Sequence, residues 1–92
     1  MIGKADILAV FEISKTGNIA GCRVVDGEIR RNGIVRVIRA GEKVAEGELA
    51  SLKHEKENVR EVRAGYECGL RIKGFNDVHV GDRIECIVYE EG

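Results

Sequence analysis

Turns marked by glycine divide this chain of 92 residues into short apolar runs. The runs recur at the spacing of about eight to twelve residues that is typical of β-sandwiches and β-barrels. A barrel is favoured over a sandwich because closure removes the strand edges that a small open sheet would expose. The pattern therefore predicts an all-β fold, a small closed β-barrel, with residues 1–92 forming a single domain.

Alternation of apolar and polar residues, together with the turn residues, predicts the strand boundaries. The predicted strands cover residues 5–13, 19–25, 28–31, 34–39, 43–45, 48–52, 67–73 and 83–89. The predicted turns cover residues 15–18, 26–27, 32–33, 40–42, 74–77 and 80–82. Among the turns, Asn32-Gly33 is a strong signal for a β-hairpin.

The first and last predicted strands carry clear apolar faces. The first places four apolar residues on one face: Ile7, Ala9, Phe11 and Ile13. The last directs three residues inward: Ile84, Cys86 and Val88. Cys86 is therefore predicted to be a core residue.

The segment 51–63 is the ambiguous part of the chain. It carries seven charged residues, which could decorate a helix, but its apolar residues are only Leu52, Val59 and Val62. That stripe is too thin for a well-docked helix. We expect an exposed loop at residues 55–58 and a short turn at residues 59–62.

Two of the three cysteines have glycine neighbours: Gly21-Cys22 and Cys68-Gly69. Glycine lets a ligand approach the backbone closely, and cysteine is small and polarisable. One interpretation is that the two pairs come together as the walls of a small binding pocket. The alternative is that both cysteines are ordinary core residues.

The spacing of the cysteines bears on redox state and metal binding. They are odd in number, form no C-x-x-C motif, and have no histidine at metal-ligand spacing. We therefore expect three free thiols, a reducing compartment and neither a metal nor a cofactor. There is also no signal peptide, and no apolar run approaches the ~20 residues that span a membrane.

Composition limits the classes of nucleic-acid partner. The net charge is -1, and two Tyr, two Phe and no Trp argue against an aromatic stacking platform for single strands. The segment from Arg23 to Lys43 contains six basic residues and three acidic ones. That local excess is compatible either with contact to RNA or with a solvated face.

An enzymatic interpretation would use Cys68 or Cys22 as nucleophile and His54 or His79 as base. No third residue is placed to orient such a base, so we expect a binding domain and not an enzyme. A binding site needs less: small walls at Cys22, Cys68 and Gly69, with Lys53, His54 and Lys56 as a cationic rim. The rim residues could equally belong to a solvated loop.

Several motifs resemble those of known translation factors. The run from Gly21 through Gly33 resembles the second-domain β-barrel of translational GTPases such as elongation factor Tu. Six further motifs resemble the extreme C-terminal domain of bacterial translation initiation factor two: Ile19-Ala20-Gly21-Cys22, Ser51-Leu52-Lys53, Val59-Arg60-Glu61-Val62, Gly65-Tyr66-Glu67-Cys68-Gly69, Phe75-Asn76-Asp77 and Gly81-Asp82.

The resemblance implies a closed six-stranded barrel, excised from the C-terminus of a multidomain GTPase whose GTPase domain is absent. It implies binding of the formylmethionyl-CCA end of initiator tRNA. Our hypothesis is that part of the preference for the formyl group comes from hydrogen bonds made by backbone groups near Cys68 and Gly69. The resemblance places the family's binding surface on Cys22, Lys53, Lys56, Glu67, Cys68 and Gly69, with Tyr66 adjacent. His54, a rim residue, completes the predicted site. The chain departs from the family at His54 and Glu55, where the family usually carries arginine and an aromatic residue.

The resemblance also implies a setting. The partners would be initiator tRNA and, through the parent protein, the ribosome, with no membrane; the domain would be a monomer in the cytoplasm or an organellar matrix. The alternative function is a structural β-barrel that docks onto the ribosome or a neighbouring domain and binds no ligand itself.

Overall fold

The computed structural model describes residues 2–14, 17–75 and 77–88, and these form eight β-strands with no helix. The strands are β1 (Gly3–Ser14), β2 (Gly17–Arg30), β3 (Ile34–Arg39), β4 (Glu42–His54), β5 (Glu57–Asn58), β6 (Glu61–Arg63), β7 (Glu67–Ile72) and β8 (Arg83–Ile87). Lys15, Thr16, Asn76 and Tyr89 lie outside the described residues, so the turn predicted at 15–18 and the far end of the last predicted strand fall partly outside them.

Six of the strands close into an antiparallel barrel, in the order β1-β8-β3-β4-β7-β2, with β2 pairing back onto β1. The short strands β5 and β6 extend it from outside, β5 on β4 and β6 on the end of β2. The predicted all-β fold and the closed six-stranded barrel are therefore confirmed. Closure leaves each of the six barrel strands with a neighbour on both sides.

The core is built from the buried sides of all the strands except β5, together with Val78 from the segment before β8. Its buried apolar residues are Ala5, Ile7, Ala20, Cys22, Val24, Ile29, Val35, Val37, Leu49, Leu52, Val62, Cys68, Leu70, Ile72, Val78, Ile84 and Cys86. The prediction that Cys86 is a core residue is confirmed, since none of its surface is exposed. In β8 the alternation holds through Ile84 and Cys86, but the strand ends at Ile87, so Val88 lies beyond it.

The predicted break at Asp26-Gly27 and the hairpin at Asn32-Gly33 are both wrong. β2 runs without interruption from Gly17 to Arg30, and its last residues, 28–30, pair with β6. The chain does turn at Gly33, whose N–H donates to Arg30 O at 3.0 Å, but β3 then pairs with β8 and β4 and not with β2. Barrel closure, which joins distant parts of the chain, overrides the local hairpin signal.

The region from Gly47 to residue 63 also differs from the prediction. β4 continues through Gly47, and the loop expected at residues 55–58 is a tight turn followed by β5, which pairs with β4. The turn expected at residues 59–62 is wrong in its second half, where β6 begins. β5 pairs with the end of β4 beyond its pairing with β3, and β6 pairs with the end of β2 beyond its pairing with β7.

The face predicted for the first strand is also incorrect beyond Ile7. The pairing of β1 with β2 shifts register between Ile7 and Ala9, which is the signature of a β-bulge. Because a one-residue shift reverses which side chains face inward, Phe11 leaves the core and is 54% exposed. The side chain of Ile13 lies outside the described residues.

Candidate functional site

A groove of about 740 Å³ lies against the wall of the barrel where β7 runs beside β2 and β4. At its centre Gly21 and Gly69 lie directly opposite each other across β2 and β7. A Cβ atom on Gly69 would come within 3.2 Å of Ile19 Cγ2, and one on Gly21 within 3.0 Å of Phe11 Cε2. The groove therefore depends on the absence of side chains at these two positions.

Cys22 and Cys68 are also opposite each other, one residue further along the same two strands. Both line the groove, yet their exposures are only 2% and 6%, and both belong to the hydrophobic core. The two cysteine-glycine pairs thus come together as the sequence suggested. Successive side chains of a strand point to opposite faces, so the glycines open the groove while the thiols face the core, and both interpretations of the cysteines hold in part.

The two thiols influence each other's ionisation. The Cys22 S–H donates to the backbone oxygen of Ala20 at 3.5 Å. The side-chain interaction of Cys22 with Cys68 lowers the pKa of Cys68. The same interaction, together with burial, raises the pKa of Cys22 well above its usual value. Desolvation raises the pKa of Cys86, which has no thiol opposite it. All three cysteines are free.

One end of the groove is formed by the rings of His54 and Tyr66. Their centroids are 5.8 Å apart and their planes nearly perpendicular, at 88°. His54 Nδ1 lies 2.8 Å from the backbone oxygen of Glu67. Because a carbonyl only accepts, Nδ1 carries the hydrogen, and Nε2 of the neutral ring is an acceptor. Tyr66 keeps 58% of its surface exposed.

The other side of this ring pair faces a smaller cavity of about 270 Å³. It is lined by His54, Val59, Glu61, Val62, Arg63 and Tyr66. The β5–β6 region, which the sequence analysis treated as loop and turn, thus lines this cavity together with the rings.

The charges that line the groove nearly balance. Arg23 and Lys53 are opposed by the carboxylates of Glu55 and Glu67. Lys56 is exposed in the turn between β4 and β5 and does not line the groove. The groove therefore has cations that can meet a phosphate, but no broad positive field.

Of the residues assigned to the site from the sequence, all except Lys56 line the groove: Cys22, Lys53, His54, Tyr66, Glu67, Cys68 and Gly69. Gly21, which the pocket interpretation had named as part of a wall, also lines the groove. The lining residues that the sequence analysis missed are Leu8, Ala9, Phe11, Ile19, Arg23, Glu55 and Gly65. Leu8, Ala9 and Phe11 come from β1, whose bulge turns them toward the groove. No local signal in the sequence marks that bulge.

Apart from Arg23, which lines the groove, the basic residues from Arg30 to Lys43 do not form a free cationic surface. Glu28 pairs with Arg30, Glu46 with Arg36 and Lys43, and Asp82 with Arg39. Arg31 donates to the backbone oxygens of Leu49 and Ala50. Of the two interpretations of this segment, the solvated face is the one that these contacts support.

Both histidine rings make hydrogen-bond contacts with oxygen atoms of the protein. His54 contacts the Glu67 carbonyl, and His79 Nε2 lies 2.6 Å from Asp77 Oδ1. In residues 2–14, 17–75 and 77–88, no three His, Cys, Asp or Glu side chains are grouped to hold a metal. The same residues contain no helix long and apolar enough to cross a membrane.

Comparison with known proteins gives one family and a consistent set of relatives. Residues 17–85 match the family described as elongation factor Tu domain 2. The chain is 55% identical over 91 residues to translation initiation factor IF-2 of Geobacillus stearothermophilus, covering 99% of the chain and 12% of that protein. The corresponding protein of Aquifex aeolicus is 50% identical over 93 residues, again 99% of the chain and 12% of the relative. That of Flavobacterium johnsoniae is 53% identical over 85 residues, 92% of the chain and 9% of the relative.

Proposed function

We propose that this chain, which belongs to the elongation factor Tu domain 2 family, binds the formylmethionyl-CCA end of initiator tRNA in the groove at Gly21 and Gly69. The observation that carries the proposal is this groove, with its glycine floor, ring pair and two cations, in a segment 55% identical to an initiation factor. Neither the groove alone nor the similarity alone would specify the ligand.

The groove suits a ligand with one slender apolar arm. Its volume of about 740 Å³ lies within the range of about 300–1,000 Å³ usual for small-ligand sites. Phe11, Ile19 and Tyr66 offer apolar and aromatic surface. A methionine thioether packs favourably at the edge of an aromatic ring. We assign the methionyl side chain to this apolar part of the groove.

The cations suit a short stretch of backbone phosphate. Arg23 and Lys53 line the groove, and Lys56 lies nearby in the turn after β4. Glu55 and Glu67 oppose a larger accumulation of phosphate. This balance supports recognition of the end of a strand and not of an extended nucleic-acid surface.

We assign recognition of the formyl group to His54 and not, as in the sequence analysis, to backbone groups near Cys68 and Gly69. β7 has a hydrogen-bonded strand on each side, with Cys68 opposite Cys22 and Gly69 opposite Lys53. The backbone groups of Cys68 and Gly69 are therefore engaged in the sheet. We propose that Nε2 of His54, left as an acceptor, receives the N–H of the formamide.

A free methionyl amine would be disfavoured mainly by its charge. Burying an unpaired ammonium is costly, but an amine with a pKa of about 7.7 can shed its proton at pH 7 for about 1 kcal/mol. Charge alone thus accounts for only a modest preference for the formylated ligand. Any preference that survives at pH 9 must come from contacts to the formamide.

The wider setting is also part of the proposal. The chain spans only 9–12% of the three initiation factors described above. We infer that it corresponds to the C-terminal barrel of such a factor, whose other domains would supply GTP hydrolysis and ribosome contact in the cytoplasm or an organelle. The barrel itself would bind and not catalyse.

The test is a calorimetric titration with a formylmethionyl-CCA mimic joined by a hydrolysis-resistant amide. Gly69→Ala should weaken binding by about tenfold or more, the usual cost of one misplaced methyl group, because its Cβ enters the groove. Gly47→Ala is the matched control. Its Cβ would lie 3.4 Å from Ile72 Cγ2, a contact similar to that at Gly69, but Gly47 does not line the groove. Absence of binding by the folded wild-type chain would reject the proposal in favour of a structural barrel.

A further inference from the structure

We propose that Cys22 and Cys68 form an oxidation site for hydrogen peroxide, which closes the pair into a disulfide bond between β2 and β7. Nothing in the proposed ligand binding requires this chemistry. It follows from the position of two free thiols on adjacent strands.

The register of the barrel places the two residues for a disulfide bond. They are directly opposite each other in an antiparallel pair, where Cα atoms lie about 4.5–5.5 Å apart. Disulfide bonds span Cα separations of about 4.4–6.8 Å. Opposite residues also point to the same face of the sheet, and both side chains are buried in the core.

The contact between the thiols assigns their roles. The interaction between the two side chains lowers the pKa of Cys68 and raises the pKa of Cys22. Cys68 is also the more exposed of the two and lines the open groove. Cys68 is thus the nucleophile, and Cys22 resolves the product. Since the thiolate is the reactive form, oxidation starts at Cys68.

The reaction has two balanced steps. The Cys68 thiolate attacks peroxide: an S–O bond forms, the O–O bond breaks, and hydroxide leaves. The Cys22 sulfur then attacks Cys68; the S–S bond forms, the S–O bond breaks, and the Cys22 proton leaves with the oxygen as water. Overall, two thiols lose two electrons and two protons, and one peroxide becomes two waters.

The third cysteine is an internal control. None of the surface of Cys86 is exposed, and its cross-strand partners are Gly3 and Val35. It therefore has neither solvent access nor a resolving thiol. We expect Cys86 to stay reduced when the other two are oxidised.

The consequence of oxidation is a covalent tie beside the groove. The disulfide bond would join β2 to β7 one residue from Gly21 and Gly69, the pair that forms the groove floor. It would also close a long loop of the chain and so raise the urea midpoint of unfolding.

The experiment treats the ligand-free 92-residue chain with hydrogen peroxide, then unfolds it, alkylates the remaining thiols and digests it with trypsin. The three cysteines fall in separate tryptic peptides, residues 16–23, 64–71 and 84–92. The expected result is a linked pair of peptides 16–23 and 64–71 in monomeric protein, an alkylated peptide 84–92, and reversal by dithiothreitol.

Two variants separate the roles. Cys22→Ala should leave Cys68 singly oxidised with no linked peptide, whereas Cys68→Ala should leave Cys22 reduced and open to alkylation after unfolding. Circular dichroism of each variant checks its fold, and the wild-type peptide map stands alone if a variant does not fold.

Three results would overturn the proposal. One is a link that involves Cys86, another is linkage only between chains, and the third is full retention of thiols at a peroxide dose that oxidises an exposed cysteine peptide. Because no ligand is present, none of these outcomes bears on whether the groove binds its proposed ligand.

Discussion

Among the described residues, Asp82 is the buried side chain that carries a charge, with 3% of its surface exposed. Arg39 contacts both of its oxygens, Nε to Oδ1 at 3.0 Å and Nη2 to Oδ2 at 2.8 Å. The backbone N–H of His79 donates to the same carboxylate at 3.1 Å. These bonds join the end of β3 to the corner before β8. They hold the pKa of Asp82 below its ordinary value, mainly through Arg39.

This pair predicts an acid-dependent loss of stability. Because the folded pKa of Asp82 is lowered, its contribution is complete above the unfolded pKa of about 3.9 and is lost as the pH falls through the folded value. Asp82→Ala should reduce the free energy of unfolding by about 1–3 kcal/mol at pH 7. In urea unfolding, the difference between wild type and variant should shrink as the pH falls below about 4.

Asp6→Ala is the control for this measurement. Asp6 also pairs with an arginine, Arg83, at 3.3 Å, but both side chains are far more exposed than Asp82, at 41% and 50%. Exposed pairs contribute little, about 0–1 kcal/mol. An Asp82→Ala effect as small as that of Asp6→Ala, or one that persists unchanged at pH 2, would contradict the role given to Asp82.

At the scale of elements, the β4–β5 hairpin brings an acidic residue to the groove in a strained conformation. Glu55 occupies the tight turn with φ of 59°. Non-glycine residues rarely adopt this conformation, and it costs about 1–2 kcal/mol. Ala40, in the turn between β3 and β4, has a similar φ of 52° but does not line the groove.

These two turns give a matched pair of substitutions. Glu55→Gly and Ala40→Gly should each relieve the strain of a positive φ, while the flexibility of glycine in the unfolded chain offsets part of the gain. The free energy of unfolding should rise by a similar amount in both variants, up to about 1 kcal/mol. Only Glu55→Gly should also strengthen binding of the formylmethionyl-CCA mimic, because it removes a carboxylate beside the phosphates. Equal effects of both variants on binding would show that Glu55 does not face the ligand.

The same scale shows what the sequence can predict about strands. Ile84 and Cys86 follow strict alternation, and the inward face of β8 is read from them directly. Phe11 fits the alternation of β1 equally well but is exposed, because the bulge after Ile7 reverses the faces. The bulge depends on the pairing of β1 with β2 in the closed barrel. The alternation of apolar and polar residues within β1 does not contain information about that pairing.

At the scale of the whole molecule, the barrel assembles a groove from β1, β2, β4 and β7, which are far apart in the chain. Motif resemblance assigned groove residues on β2, β4 and β7, where Cys22, Lys53 and Gly69 stand in short recognisable runs. It missed Phe11, since β1 reaches the groove only through its pairing with β2. Lys56 was assigned from the resemblance to the family, but it lies in the turn of the hairpin and does not line the groove.

The balance of charge over the groove predicts a weak salt dependence. Each phosphate of a single strand that a cation neutralises releases about 0.7 counterion. Two cations, Arg23 and Lys53, should therefore give a slope of log K against log salt of about -1.4. Lys53→Ala should reduce the slope by about 0.7, while Lys43→Ala, outside the groove, should leave it unchanged. Affinity measured over a series of salt concentrations gives the slope. A value several-fold steeper would indicate a broad electrostatic surface and contradict end recognition.

The most direct test of the central claim is nuclear magnetic resonance mapping of the bound ligand on the ¹⁵N-labelled chain. On titration with the formylmethionyl-CCA mimic, the account predicts saturable shifts of the amide signals of Gly21, Lys53, Tyr66 and Gly69. Unformylated mimic at pH 9 should produce the same pattern at lower affinity. Two results would contradict the account. One is a set of shifts centred on the exposed residues Val44 and Val80. The other is the absence of saturable shifts at about millimolar ligand, which corresponds to a binding free energy no better than about -4 kcal/mol.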